Sequence, residues 1–199
     1  MSAPFWTTLP GWCAPETTAP DQLCPDGRHR DAALLQDLAR NVPAGYAIIE
    51  VGSWAGRSAF VMHETAHVPI YCFDPYPTGS QAEVAAHGLS PAEARAIFEQ
   101  AIVARGEGRI SLTVQDSAEA GRAWQGSPVG MLHVDGDHTY AKVREELEAW
   151  LPHLTDGAVV VFDDWLSYDG EIQRACADVL IGWRPVLRGY SRFAVAWTC

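Results

Sequence analysis

Three aspartates in the second half of the chain could act together on a metal ion. Asp135 lies in H-V-D-G-D-H-T-Y at 133–140, and Asp163 and Asp164 lie in V-F-D-D-W at 161–165. With water or hydroxyl oxygens, three carboxylates complete the six-coordination that Mg²⁺ and Ca²⁺ adopt, and hard oxygen ligands favour these cations over zinc. Each aspartate alone could instead cap a helix or a turn. Three of them at one edge of a sheet favour a site for Mg²⁺ or another hard divalent cation.

A histidine lies close to the first of these aspartates. His138 follows Asp135 by three residues, so both side chains are expected to face the same cavity. An imidazole titrates in the range that a general base needs near neutral pH. Asp137, between them, is interpreted as a cap of the following helix or as a hydrogen-bond partner of the site. The segment therefore predicts that His138 removes a proton beside a metal-bound oxygen.

The segment E-V-G-S-W-A-G-R-S at 50–58 joins an apolar run to a helix. Gly52 and Gly56 allow a tight turn and a close approach of a ligand to the backbone at the helix N-terminus. A dinucleotide fingerprint would be G-x-G-x-x-G, and the Glu50 carboxylate would repel phosphate but suits an amino group. The segment argues against a dinucleotide, and taken alone it also fits a turn that binds no ligand.

Polar residues follow the next two apolar runs in a pattern typical of nucleoside binding. Asp74 lies 22 residues after Gly52, the spacing at which an acidic side chain reaches ribose hydroxyls from the neighbouring strand. Asp116 and Ser117 follow the third run and are expected to meet an adenine. Three consecutive strand ends are thus predicted to contact a nucleoside.

These residues need elements that bring them to one edge. Apolar runs alternate with amphipathic stretches, as expected of β-α units around a parallel sheet. We predict strands at 46–51, 69–74, 109–115, 129–135 and 157–163, helices at 31–40, 90–105, 139–154 and 169–182, and two closing strands at 184–190 and 192–198. The closing pair is too close for a helical crossover and is expected to be antiparallel. The predicted fold is α/β, a doubly wound, mostly parallel seven-stranded sheet ending in an antiparallel hairpin, with its ligand at the C-terminal strand ends.

In the helix at 139–154, apolar side chains are expected to share one face. The charged residues of this helix, Glu146 among them, are predicted on the opposite, solvent-exposed face.

Composition limits the class of protein. The 199 residues are 48% apolar and 20% charged, which fits one globular domain. The net charge of −11 and a pI near 4.9 would repel a phosphate backbone or an anionic bilayer, so neither nucleic acid nor a membrane is expected as a partner. The N-terminus lacks the basic start and apolar run of a secretory signal, so a cytoplasmic location is expected.

Residues 1–27, rich in Pro and Thr, are predicted to form an irregular arm that is a candidate lid, and residues 28–199 the domain itself. Five cysteines without a C-x-x-C pair argue against a disulfide framework and a cysteine zinc site. Free thiols are the favoured interpretation, with a Cys13–Cys24 pair as the alternative.

His63-Glu64-Thr65-Ala66-His67 matches the H-E-x-x-H pattern. On a helix it would place two imidazoles one turn apart for zinc, with the glutamate as base. Pro69 is expected to end the helix just after His67, and no third ligand follows at the usual position. A zinc hydrolase is therefore the less favoured alternative, and a chance match in a helix with surface histidines is preferred.

In chain order, E-V-G-S-W-A-G-R-S, C-F-D-P, D-S-A-E, V-D-G-D-H-T-Y and G-A-V-V-V-F-D-D-W resemble the successive motifs of the class I S-adenosylmethionine-dependent methyltransferases. Within that class they are most similar to the metal-dependent O-methyltransferases of the macrocin and catechol type. The resemblance covers about residues 30–199 and identifies 28–199 as a methyltransferase domain. It implies transfer of a methyl group from S-adenosylmethionine, assisted by Mg²⁺, to a hydroxyl of a small molecule such as a sugar, a phenol or another natural product.

The resemblance also implies a role for each matching residue. The methionine moiety and the turn beneath the cofactor would be served by Glu50, Gly52, Ser53, Gly56 and Ser58, the ribose by Asp74, and the adenine edge by Asp116 and Ser117. The metal ligands would be Asp135, Asp163 and Asp164, with Asp135 also touching the cofactor and sharing the catalytic role with His138. His138 lies where the catechol enzymes carry a lysine base, which is a departure from their pattern.

The acceptor side is less defined by sequence. Trp54, Trp165 and Tyr168 are predicted near the strand ends and could line an acceptor site, with packing in the core as the alternative. Two arrangements of this pocket stay open, one open to solvent and one completed by the second subunit of a homodimer. A catalytically silent binding protein with the same fold is the main alternative to an enzyme, and the aspartate cluster argues against it.

Overall fold

The computed structural model describes residue 9 and residues 30–77, 88–166, 168–188 and 193–196. Its strands are β1 (Ala47–Val51), β2 (Ile70–Phe73), β3 (Ile110–Thr113), β4 (Val129–Val134), β5 (Leu154–Phe162), β6 (Arg184–Arg188) and β7 (Phe193–Ala196). They form one seven-stranded sheet in the order β3-β2-β1-β4-β5-β7-β6. The first five strands are parallel, whereas β7 runs antiparallel to both β5 and β6. The predicted doubly wound sheet with an antiparallel end is confirmed.

Helices cover both faces of this sheet. They are α1 (Arg30–Arg40), α2 (Arg57–His63), α3 (Pro91–Arg105), α4 (Ser117–Ala123), α5 (Tyr140–Trp150) and α6 (Glu171–Val179). Apolar side chains of α1, α2 and α3 pack with Ile48, Ile70 and Met131 on one face. Those of α4, α5 and α6 pack with Ile49, Leu132 and Phe162 on the other. Side chains alternate along each strand, so β1 and β4 contribute to both cores.

Helix α3 begins where its sequence predicts. The Ser90 side chain accepts a hydrogen bond from the Glu93 backbone N–H, and the Glu93 carboxylate accepts one from the Ser90 backbone N–H. This capping box satisfies two N–H groups that the helix itself leaves unpaired. Pro91 occupies the first turn, where a missing N–H costs nothing.

Helix α5 ends earlier than predicted, at Trp150 rather than 154. A short 3-10 turn follows at Leu151–His153, because Pro152 has no N–H to continue the helical pattern. Strand β5 accordingly starts at Leu154, but its pairing with β4 is irregular until Val159, close to the predicted start at 157.

The parallel register aligns polar residues across one face of the sheet. Glu50 pairs in register with Cys72 of β2 and with His133 of β4. Two positions further along these strands, and therefore on the same face, lie Gly52, Asp74 and Asp135, with Asp163 following β5. The fold thus collects the predicted residues at the C-terminal edge of the sheet.

Further predictions concern the N-terminal arm, the cysteines and membrane-spanning helices. The arm at 1–27 lies outside the described residues except for Leu9, which is buried in the first core. Cys13 and Cys24 also lie outside them, while Cys72 and Cys176 are free, buried thiols. Among the helices in the described ranges, none is long and apolar enough to cross a membrane.

Candidate active site

Backbone hydrogen bonds join the strand ends into one continuous edge. The N–H of Gly52 donates to the Phe73 carbonyl over 2.9 Å, and the N–H of Asp135 donates to the Val51 carbonyl over 2.9 Å. The N–H of Asp163 donates to the Val134 carbonyl over 3.0 Å. The side chains that follow four neighbouring strands are therefore held by the sheet itself, which is how a site gains a fixed geometry.

The two glycines of the first turn have separate packing reasons. At Gly52, with φ of 78°, an added Cβ would lie 2.2 Å from the Asp135 carbonyl oxygen. At Gly56, with φ of 81°, it would lie 2.0 Å from the Phe98 ring on α3. No side chain fits at these contact distances, and the left-handed backbone favours glycine at both. Gly52 lets β1 and β4 approach closely, and Gly56 lets α3 cover the turn.

Glu50 is fully buried within the sheet, in register between Cys72 of β2 and His133 of β4. Its Oε1 lies 3.3 Å from Nδ1 of His133, which is also fully buried. Burial opposes ionisation, but the hydrogen bond and charge of His133, with smaller help from Ser58 and Ser53, hold the pKa of Glu50 below its ordinary value. Glu50 therefore presents a negative charge directly beneath the strand ends.

Asp74 holds the turn that follows β1. Its carboxylate accepts hydrogen bonds from the backbone N–H of Trp54 at 2.9 Å and of Tyr76 at 2.8 Å. The Tyr76 hydroxyl in turn donates to the Trp54 carbonyl over 2.5 Å. Trp54 and Tyr76 both have left-handed backbones, with φ of 46° and 43°, a strain that persists only where neighbouring contacts impose it. The predicted ribose contact is thus also the anchor of the turn.

Asp116 caps helix α4 and forms an ion pair. Its Oδ1 accepts from the backbone N–H groups of Ala118 and Glu119, each at 3.0 Å, and its Oδ2 accepts from Nζ of Lys142 at 2.5 Å. Burial opposes ionisation here as well, but Lys142 and the two N–H groups together lower the pKa of Asp116. The predicted adenine contact therefore already has three partners within the protein.

Ser117, next to Asp116, contacts Glu146 of α5. Its hydroxyl donates to Oε1 of Glu146 over 2.6 Å. Glu146 is only 2% exposed, so the prediction that it lies on the solvent-exposed face of α5 is wrong. Burial is the main reason that the pKa of Glu146 is raised to about 7. The Glu146 carboxyl packs directly beneath Gly136, the residue after Asp135.

His138 lies among the carboxylates, as its spacing predicts. Its Nε2 is 3.9 Å from Oδ1 of Asp135, and its ring stacks on that of Tyr168 with centroids 4.6 Å apart. Burial lowers the pKa of His138, and the charges of Asp164 and Asp163 oppose this without cancelling it. The imidazole is therefore neutral at neutral pH, the form that can accept a proton.

The three predicted metal ligands share this edge but do not converge. Asp163 is buried, and its Oδ1 accepts a hydrogen bond from the Asp164 backbone N–H over 2.9 Å. Across the described ranges, no three His, Cys, Asp or Glu side chains are grouped closely enough to bind a metal ion. Their hard oxygen donors nevertheless fit Mg²⁺ in chemical type. Asp137 accepts a hydrogen bond from the backbone N–H of Thr139, the N-cap residue of α5, over 2.9 Å, so it forms a turn just before the helix rather than the predicted cap.

The three aromatic candidates for the acceptor site differ in their surroundings. Trp54 packs with Ala55 and Tyr76, and Trp165 packs against Phe162, so both contribute to hydrophobic clusters. Tyr168 is 52% exposed and stacks on His138 at the edge of the site. Of the three, Tyr168 is the most exposed to solvent.

A known family matches this arrangement. A family described as a methyltransferase domain matches residues 49–165, a range that begins in β1 and ends just after Asp164. The chain belongs to this methyltransferase family. The resemblance to class I methyltransferases, drawn from the order of its motifs, is confirmed at the level of family.

Solved structures show that the methyltransferase shares its fold with other methyltransferases. The apo structure of CalS11, a TDP-rhamnose 3'-O-methyltransferase of calicheamicin biosynthesis, is 20% identical with a TM-score of 0.63, over 85% of this chain and 80% of that one. The O-methyltransferase NovP is 15% identical with a TM-score of 0.63, over 85% and 80%. SAH-bound PaMTH1 of Podospora anserina is 14% identical with a TM-score of 0.62, over 93% and 85%. A search of curated proteins finds none that matches.

The H-E-x-x-H stretch of the methyltransferase does not lie on one helix. Helix α2 ends at His63, earlier than the predicted end after His67. Glu64 and His67 lie beyond the helix, and Oε2 of Glu64 accepts a hydrogen bond from Gln36 of α1 over 2.6 Å. The helical spacing that a zinc-binding H-E-x-x-H requires is therefore missing.

Sequence reasoning missed three residues of this site: His133, Tyr76 and Glu146. A signal existed for His133, since alternation along a buried strand puts it on the same face as Asp135. A signal existed for Tyr76 as well, because an aspartate often binds the backbone N–H two residues later. Glu146 gave none, because a charged residue in an amphipathic helix is expected to face solvent.

Proposed function

We propose that this methyltransferase transfers the methyl group of S-adenosylmethionine to a hydroxyl of a small molecule, assisted by Mg²⁺ or a similar hard cation. The observation that carries the proposal is the edge at which Gly52, Asp74, Asp135 and Asp163 follow four neighbouring strands. Ligands of doubly wound sheets bind at this edge.

The residues at the edge suit the cofactor in chemical type. Glu50 is a buried carboxylate, which complements the ammonium of the methionine moiety. The Asp74 carboxylate accepts backbone hydrogen bonds on both of its oxygens, and the same acceptor chemistry suits the hydroxyl donors of a ribose. Gly52 and Gly56 carry no side chain that would keep a ligand away from the backbone. SAH in the related PaMTH1 structure supports the same type of cofactor.

On the acceptor side, His138 would remove the proton. Its Nε2 is buried without a hydrogen-bond partner in the described part of the chain, and its low pKa keeps it neutral and able to accept. Stacking on Tyr168 restrains the orientation of its ring. Asp135, Asp163 and Asp164 would hold the divalent cation. When bound there, such a cation lowers the pKa of an oxygen that it contacts.

The class of acceptor is proposed from two sources. CalS11 is a TDP-rhamnose 3'-O-methyltransferase, which supports a sugar hydroxyl, and NovP is an O-methyltransferase, which supports a hydroxyl in general. A phenol or another hydroxylated natural product belongs to the same proposed class. The net charge of −11 disfavours an RNA acceptor, because a phosphate backbone would be repelled.

Calorimetric titration with S-adenosylhomocysteine (SAH), the demethylated product, tests cofactor binding. We expect the wild type to bind and Asp74→Ala to bind about 1–3 kcal/mol more weakly, the loss typical of hydrogen bonds to a charged group. Asp37→Ala, which removes an exposed carboxylate paired with Arg40 on α1, is the matched control and should bind as the wild type does. No heat of binding with the wild type would refute the proposal.

Two further measurements test cation binding and methyl transfer separately. Binding of Mn²⁺ as a Mg²⁺ probe, followed by electron paramagnetic resonance, should be lost in Asp163→Asn and kept in Asp37→Asn. Methyl transfer from labelled S-adenosylmethionine to a panel of hydroxylated compounds should stop in excess EDTA. Full turnover in EDTA would refute the proposed dependence on a divalent cation. SAH binding with no transfer to any compound would favour the silent binding protein.

A further inference from the structure

The hydroxyl of Ser117 is locked by a buried acid. It donates its single hydrogen to Oε1 of Glu146 over 2.6 Å, and both side chains are buried. A hydroxyl has one hydrogen and two acceptor lone pairs. With the hydrogen committed to Glu146, Ser117 can offer a ligand only an acceptor.

The surroundings of Glu146 determine the direction of its hydrogen bond with Ser117. Charged groups face it from three elements: Asp116 at the start of α4, Asp137 after β4, and Lys142 one turn earlier on α5. Its Oε2 is buried without a hydrogen-bond partner in the described ranges. An ionised carboxylate has no proton to donate, so above neutral pH the hydrogen bond can run only from Ser117 to Glu146.

An acceptor at this position distinguishes two purine edges. The 6-amino group of adenine donates hydrogen bonds, whereas the 6-oxo group of hypoxanthine only accepts them. A free serine hydroxyl could rotate to suit either group. A serine hydroxyl whose hydrogen is bonded to Glu146 can accept a hydrogen bond from the amino group. Its lone pairs would face those of the oxo group, and this mismatch carries the cost of an unpaired buried polar atom.

We propose that Glu146 is a positioning residue that fixes the Ser117 hydroxyl as an acceptor and thereby makes the cofactor site selective for a 6-amino purine. The inference rests on the proposed function, and within it on the expectation from the family resemblance that Ser117 meets the adenine edge of S-adenosylmethionine. It adds a residue that touches no ligand yet determines which base is accepted.

The test compares the binding of SAH with that of its deaminated analogue, S-inosylhomocysteine, by calorimetry at pH 8. The wild type should prefer SAH by about tenfold or more, the ratio expected for one hydrogen bond replaced by a lone-pair clash. Glu146→Met, similar in size but without an acceptor, should bring the ratio to within about threefold of unity. Ser117→Ala should do the same, and the double variant should lose nothing more, because the two residues act as one unit.

The control is Glu148→Met on the same helix, which removes an exposed carboxylate paired with Arg144 and should keep the wild-type ratio. A general loss of structure would weaken the binding of both ligands equally and leave the ratio of their affinities unchanged. A ratio that falls toward unity therefore reports a specific role of Glu146. If Glu146→Met fails to fold, Glu146→Ala replaces it.

Three outcomes overturn the inference: a wild type that binds both ligands equally, a folded Glu146 variant that keeps the wild-type ratio, or a folded Ser117→Ala variant that keeps it. A wild type that binds neither ligand would instead refute the proposed function. The two failures are therefore distinguishable.

Discussion

Glu146 carries its carboxyl group into the interior, where water cannot solvate a negative charge. Its pKa is raised from 4.5 to about 7, with burial as the main cause. The unfolded chain releases this proton above pH 4.5, whereas the folded protein keeps it until about pH 7. The contribution of this group to stability is therefore fully present below pH 4.5 and is lost as the pH rises through 7.

Glu146→Gln removes this titration and leaves a neutral side chain of similar size. Between pH 5 and pH 8, we expect its free energy of unfolding to gain about 2 kcal/mol relative to the wild type, because only the wild type must bury a charge. Urea unfolding at both pH values measures the difference. Glu148→Gln, on the exposed face of α5, should show no such change with pH, and a flat difference for Glu146→Gln would contradict the buried acid.

His138 is the second residue whose surroundings set its chemistry. For His138→Gln, we expect methyl transfer to slow by about 10²–10⁴ with SAH affinity unchanged, because the variant loses only the group that accepts the proton. Activity should partly recover at high pH, where the acceptor ionises by itself. Single-turnover rates across pH measure this, with exposed His67→Gln as control. A wild-type rate and pH profile would mean that the metal and solvent remove the proton.

Among the elements, the contact between the ends of β1 and β4 depends on one missing side chain. Gly52 and Gly45 both have left-handed backbones, with φ of 78° and 90°, so alanine is strained at either position. A Cβ at Gly52 would lie 2.2 Å from the Asp135 carbonyl oxygen, while a Cβ at Gly45 would meet nothing within 4 Å. The two substitutions thus share the backbone strain and differ in the steric clash.

We expect Gly52→Ala to cost at least about 1–2 kcal/mol more stability than Gly45→Ala, since overpacking adds to the strain. It should also weaken SAH binding, because the ends of β1 and β4 move apart, whereas Gly45→Ala should bind normally. Urea unfolding and calorimetry on both variants provide the comparison. Equal effects of the two alanines would mean that the close approach at the strand ends has no importance for binding.

Element positions were predictable where local chemistry decides them. The start of α3 followed from Ser90, Pro91 and Glu93, whose caps act within one turn. The end of α2 was not predictable, because Glu64 and Thr65 form hydrogen bonds with Gln36 on α1, a contact that no local pattern encodes. The same limit applies to α5, where tertiary packing buries Glu146 against the amphipathic pattern.

For the whole molecule, the sequence predicted the sheet and the edge at which the candidate residues lie, because parallel strands with helical crossovers leave few topologies. It did not predict how the polar side chains pair within that edge. Asp74 bonds to the Trp54 turn, and Asp116 bonds to Lys142, across 20 and 26 residues of chain. Such partners depend on packing that exists only after folding.

The same assembly predicts how the cofactor affects global stability. The candidate contacts extend from Glu50 to Asp164 and meet only when five parallel strands are in register, so the unfolded chain has no site. A ligand that binds only the folded state at 100 times its Kd stabilises it by about 2.7 kcal/mol. For a chain of this length, that corresponds to a rise in Tm of about 5–10 °C.

Thermal unfolding with and without SAH measures this rise, at concentrations set from the calorimetric Kd of the wild type. At the same SAH concentration, Asp74→Ala should show a clearly smaller rise, because its weaker binding leaves less ligand bound. Asp37→Ala should match the wild type, since the carboxylate that it loses lies on the exposed surface of α1. If SAH saturates the wild type by calorimetry and Tm does not move, the ligand binds the unfolded chain equally well. It would then not occupy the edge that folding assembles.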